Sequence, residues 1–185
     1  EDAHKDPLTV LLEEQRLFEA LRLLDKRIAA APKNLSLRIL KAQILRREGS
    51  FGQAVDEYQS VLEQTRSQNL RASALNGLGW TFYAHALQAE RLGDAFAATR
   101  QYEQAEIYFR QALQLNPKLL HGWIGLAQWA ISRNNLPQAQ SALQQAKKLD
   151  AQNILVLMTQ ADGADVLGGG GDARKGSRSC AAAIA

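Results

Sequence analysis

The chain holds a single cysteine, Cys180, in 185 residues. No internal disulfide can brace it, and one Cys with three scattered His (His4, His85, His121) does not build a structural zinc site. Proline is scarce, at 4 residues, and β-branched runs are few, so little interrupts long stretches of Ala, Leu, Gln, Glu and Arg. These are the strong helix formers, and an all-α chain is expected. No run approaches the roughly 18 apolar residues of a membrane-spanning helix. Glu1 and Asp2 do not open a signal peptide, so no membrane span and a soluble chain are expected. A strong charge imbalance is missing too. The net charge is +3, and residues 168–185 supply most of it through Arg174, Lys175 and Arg178 against Asp172. The body is close to neutral, with no basic face interleaved with aromatics, and nucleic acid is not an expected partner. What is present is 46% hydrophobic against 22% charged residues, which excludes general disorder.

Those apolar residues repeat. A small residue is followed four positions later by a large apolar one at Ala20/Leu24, Ala54/Tyr58, Ala105/Phe109 and Ala139/Leu143, with spacings of 34, 51 and 34. An apolar residue stands three positions before each: Leu17, Phe51, Tyr102 and Leu136. A second family of small residues, Ala42, Gly93, Ala127 and Ala161, runs ahead of the first with spacings of 51, 34 and 34. A small residue lets two helices approach closely, and the large one a turn away fills the space beside the contact. The two families therefore mark second and first helices of stacked hairpins. A hairpin of this size cannot bury its faces alone, so stacking into a right-handed α-α superhelix, a solenoid, is expected.

The chain resembles the tetratricopeptide repeat (TPR) family, whose units are 34-residue helix–turn–helix hairpins. Within 86–119 the resemblance rests on Leu92-Gly93, Phe96, Tyr102, Ala105, Phe109, Ala112-Leu113 and Pro117. Within 120–153 it rests on Trp123, Leu126-Ala127, Ala139, Leu143 and Ala146. Residues 35–68 fit through Ala42, Leu45, Gly49, Phe51, Ala54 and Tyr58, while 1–34 fit only in their second half, after a short helix opened by Asp6-Pro7. The resemblance implies a solenoid over 1–167, with partial units at 1–34 and 154–167. Residues 69–85 are 17 positions beyond the period, and Leu78-Gly79 and Phe82 precede Leu92-Gly93 and Phe96 by 14. One long first helix over 71–98 is expected there, extending the 86–119 unit back through 69–85. The Gly-rich segment 168–185 is expected to be frayed or poorly helical, because four consecutive glycines, Gly168 to Gly171, stop a helix.

No motif carries chemistry. Lys175 precedes Gly176, the wrong order for a phosphate-binding loop. His121 has no Cys, Ser or second His within helical reach for a metal or nucleophile–base pair. Glu13-Glu14, Glu103 and Glu106 sit near arginines as solvated ion pairs rather than a catalytic dyad. No catalytic residue, metal or cofactor is expected, and the chain reads as a non-enzyme.

The resemblance implies that first helices line a concave face. Carried over position by position, that face comprises Ser36, Ile39, Gln43 and Arg46, then Leu87, Glu90, Asp94 and Ala97. It continues through His121, Ile124, Gln128 and Ile131 to Leu155, Met158, Asp162 and Asp165. Four acids among them imply a groove for a protein or peptide with basic and apolar residues. The known clamp for a terminal carboxylate is absent, since Ile39, Gln43, Arg91, His121 and Gly125 stand at its positions. A scaffold or adaptor in complex assembly is expected, with the open C-terminal end as a surface for self-association. The alternative is a regulatory or targeting segment of a larger, enzymatic or export-related polypeptide.

Overall fold

The computed structural model describes residues 5–168 of the chain, with side chains to residue 164. The expectation for the Gly-rich tail falls, from residue 169 on, outside the described residues. Nine α-helices and no strands are found among them: α1 Pro7–Glu13, α2 Leu17–Ala30, α3 Leu35–Arg47, α4 Phe51–Gln64, α5 Gln68–Arg91, α6 Ala95–Leu115, α7 Leu120–Ser132, α8 Leu136–Leu149 and α9 Ile154–Gly168. They pair as antiparallel hairpins α1/α2, α3/α4, α5/α6 and α7/α8, and α9 is the first helix of a further unit. First helices touch one another along the stack, α3 on α5, α5 on α7 and α7 on α9, whereas second helices make no comparable contacts among themselves. The stack is an all-α solenoid whose first helices form the inner side of the curve.

Four residues with positive φ make the hairpin turns: Gln15, Gly49, Gly93 and Asn134, at 57°, 83°, 81° and 55°. Each ends a first helix in the same way. At Gly93, its own N–H donates to Glu90 O at 3.0 Å and the Asp94 N–H donates to Ala89 O at 2.9 Å. The paired bonds at Gly49 and Ser50, and at Asn134 and Asn135, repeat the pattern. This turn satisfies the last carbonyls of one helix and needs a left-handed residue, which glycine supplies without a Cβ clash. Asp94 then starts α6, its Oδ1 accepting from Ala97 N–H at 2.9 Å.

That turn corrects the expected helix over 71–98. The absence of a breaker between Trp80 and Leu92 does give a long α5, but α5 ends at Arg91 because Gly93-Asp94 is a stop followed by a cap. Gly93 is the counterpart of the turn residue Gly49, not of the packing residue Ala42. Leu92 and Phe96, on which the resemblance within 86–119 rests in part, are 79% and 83% exposed at the hairpin tip. The extra residues lengthen both arms: α5 has 24 residues against 13 in α3, and α6 has 21 against 14 in α4.

The close-approach site in α5 is Gly79, where an added Cβ would stand 2.6 Å from the Phe109 ring. Gly125 of α7 meets the same ring from the next unit, at 2.4 Å. One buried aromatic from α6 thus fills the space left by two glycines and joins two hairpins. Ala54, Ala105 and Ala139, the expected contact points of the second helices, are all buried. Polar ties reinforce the stack near its start. Lys41 Nζ lies 2.8 Å from Asp25 Oδ1 and 2.8 Å from Glu57 Oε1, and Arg38 Nη1 lies 2.9 Å from Glu57 Oε2, linking α2, α3 and α4.

Candidate functional site on the inner face

The inner face is built by residues spaced three and four apart on the first helices, with the opposite side of each helix committed to its hairpin partner. On α3 the expected residues take their places: Ser36 and Gln43 are exposed, and Ile39 and Arg46 are half-buried. The Arg46 guanidinium lies beside the Tyr58 phenol, and burial holds its pKa below the usual arginine value. Burial in turn pushes Tyr58 up to about 12, against the pull of Arg46. The phenol therefore keeps its proton throughout the physiological range, and a guanidinium offers hydrogen bonds only as a donor. The Tyr58 ring tip abuts Gly77 on α5, next to Asn76. Tyr58 Oη and Asn76 Oδ1 are buried, and neither has a hydrogen-bond partner.

The α5 contribution differs from the expected one. With Gly79 rather than Gly93 as the close-approach residue, the inner positions shift back by 14, to Ser73 and Asn76. Leu87 packs half-buried within the long hairpin. Glu90 is exposed at the end of α5, near the Tyr102 phenol, and Asp94 is the cap of α6. Neither acid lines the face. Ser73 and Asn76 escaped the sequence reading because the small-residue period alone cannot separate a packing glycine from a turn glycine. The signal that separates them is the residue that follows, Ser50 after Gly49 and Asp94 after Gly93, each the N-cap of a second helix.

On α7 the face is closed. His121 is exposed, but Ile124, Gln128 and Ile131 are at most 1% exposed. Gln128 Nε2 donates to Thr159 Oγ1 and to Asp162 Oδ2, both at 3.1 Å, and Gly163 brings α9 against the Ile131 side chain. Asp162 is buried in that contact rather than displayed, Met158 is half-buried, and the Asp165 side chain lies outside those described. The expected acidic groove is therefore corrected. Of its acids, Asp94 caps a helix, Glu90 ends one and Asp162 serves the α7–α9 contact. What remains on the inner side is the polar stretch that α3 and α5 share, whose charged member is the half-buried Arg46.

Three of the four glutamates read as ion pairs are so arranged, Glu14 with Arg16 at 2.9 Å, Glu106 with Arg110 at 2.8 Å and Glu13 with a lysine, Lys5, at 2.9 Å. Among the described residues no helix is long and apolar enough to cross a membrane.

No curated protein matches the chain. Residues 86–162 match the family model described as tetratricopeptide repeat. That span runs from the end of α5 through α6, α7 and α8 into α9, where the hairpin geometry, the glycine-to-aromatic contact at Phe109 and the stacked first helices are all on display. Residues 86–162 are thus similar to tetratricopeptide repeats, which are in general protein–protein interaction modules.

Proposed function

We propose that this chain is a non-enzymatic adaptor that grips a segment of a partner protein on the inner side of α3 and α5 during complex assembly. The observation that carries the reading is the polar inner side that α3 and α5 share, where Ser36 and Gln43 are exposed and Ile39, Arg46, Ser73 and Asn76 are half-buried. The guanidinium donates, and the hydroxyl and amide side chains of Ser36 and Gln43 both donate and accept. This set fits a backbone in extended or helical form that also presents an acidic side chain. Ile39 supplies the apolar anchor. The relocation of Glu90, Asp94 and Asp162 favours an acidic or neutral polar partner over the basic one that the sequence alone suggested.

Two peptide pools of equal apolar content, one acidic and one basic, test this by fluorescence anisotropy against the wild type and Arg46→Glu. The acidic pool is expected to bind, to weaken as salt rises, and to lose at least fivefold in affinity with Arg46→Glu. A preference for the basic pool, or indifference to Arg46→Glu in a variant with unchanged helix content, overturns the reading.

A further inference from the structure

A first helix in this stack turns one side to its own second helix. In α7 that side includes Ala127 and Ala130, both buried under α8. The residues 34 positions on, Ala161 and Ala164 of α9, are exposed, as is Leu157 beside them. Among the described residues no second helix covers α9. A cleft of about 280 Å³ lies there between α8 and α9, lined by Leu136, Ala139, Leu143, Lys147, Gly163 and Ala164, with glutamines along its rim. Small-molecule sites run from roughly 300 to 1,000 Å³, so this cleft suits one or two apolar side chains better than a cofactor.

We propose that the α8–α9 cleft docks an acidic amphipathic helix of a partner protein. The cleft continues the interface that builds the rest of the stack: the equivalent side of each earlier complete unit is covered by a second helix, of 14 residues in α4 and in α8. A helix with a small residue facing Gly163 and Ala164 repeats that arrangement. Charge chooses among such helices. The charged residue of the lining is Lys147, Lys148 follows it in the last turn of α8, and no described carboxylate lines the cleft. Residues 169–185 carry Arg174, Lys175 and Arg178 against Asp172, the same sign as the cleft. The surface is separate from the inner side of α3 and α5, so the two proposals stand or fall independently.

The chain itself supplies the probes. A peptide of residues 51–64 has the second-helix pattern Ala54, Tyr58, Val61, with Asp56, Glu57 and Glu63 and no Lys or Arg. A peptide of residues 136–149 has the same pattern at Ala139, Leu143 and Ala146, with Lys147 and Lys148 and no acid. Labelled peptides are titrated with the full chain at low salt. The 51–64 peptide is expected to bind saturably and the 136–149 peptide severalfold more weakly. Ala164→Arg, which fills the cleft from an exposed position, is expected to cost more than tenfold. Lys147→Glu is expected to cost two- to fivefold, the range of an exposed ion pair. Ala164→Arg also separates docking in the cleft from displacement of the native α4. Equal binding of the two peptides, binding untouched by Ala164→Arg, or no binding by the full chain overturns the proposal. The last result would mean that the chain's own residues or a second copy close the cleft.

Discussion

Gly77 holds the α5 backbone so near the ring of Tyr58 that a methyl group on it would stand 2.2 Å from Tyr58 Cζ. That ring is fully buried and cannot swing into solvent. Gly77→Ala must therefore push α4 and α5 apart, an overpacking that costs about 1–3 kcal/mol. The urea midpoint should fall, and Tyr58→Leu in the same chain should recover part of the loss by making room. A double variant no better than Gly77→Ala would show that the cost comes from somewhere other than the ring.

Two exposed glycines predict opposite signs. Gly93 sits at φ 81° with open space around its Cα, so Gly93→Ala meets no neighbour and is penalised by the left-handed backbone alone, about 1–2 kcal/mol. Gly52 lies inside α4, also with open space, and Gly52→Ala should stabilise by about 0.5–1 kcal/mol through helix propensity. Thermal unfolding of the two single variants checks both signs at once.

Gln128 is buried and donates to Thr159 and Asp162 across the α7–α9 contact. Gln128→Leu keeps the bulk and removes both bonds, at about 1–3 kcal/mol. The loss should be local. Amide exchange in α9 is expected to quicken while α4 and α5 keep their protection, and uniform loss through the chain would contradict this placement of the tie.

The Asp6 carboxyl is held below its ordinary value of 3.8, first by its hydrogen bond from Arg27 and further by the charge of that group. A carboxyl with a depressed folded value contributes fully above the unfolded value and loses the contribution as pH falls through the folded one. The tie between the start of α1 and α2 should thus persist to pH values somewhat below 3.8 and then release. An NMR titration of Asp6 should place its midpoint below that of a free aspartate, and Arg27→Gln should move it back up toward the ordinary value.

The sequence made the stacked hairpins legible because the small-to-large pairs Ala54/Tyr58, Ala105/Phe109 and Ala139/Leu143 answer to packing, which leaves a period. It misled at Gly93, where glycine serves a turn and happens to follow Ala42 by the same 51 residues that separate Ala54 from Ala105. From that one register error came the displaced inner positions Leu87, Glu90 and Asp94. The burial of Ile124, Gln128 and Ile131 was illegible for another reason: their cover comes from neighbouring helices in space, and no residue type among them announces it. Arg46 was readable as a face residue, but its place beside the buried Tyr58 phenol, which α5 meets through Gly77, was not.

The lengthened α5/α6 hairpin marks where such a chain tolerates growth. Its added residues enter on either side of the Gly93 turn, while the stacking contacts of Gly77, Gly79, Ala105 and Phe109 stay where a 34-residue unit would have them. The turn is a point of insertion at which length is decoupled from architecture: a lineage, or a designer, can extend or trim this arm and mount a different tip on it while the neighbouring repeats keep their fit. Arm length becomes a heritable variable of its own, free to change under selection without disturbing the stack.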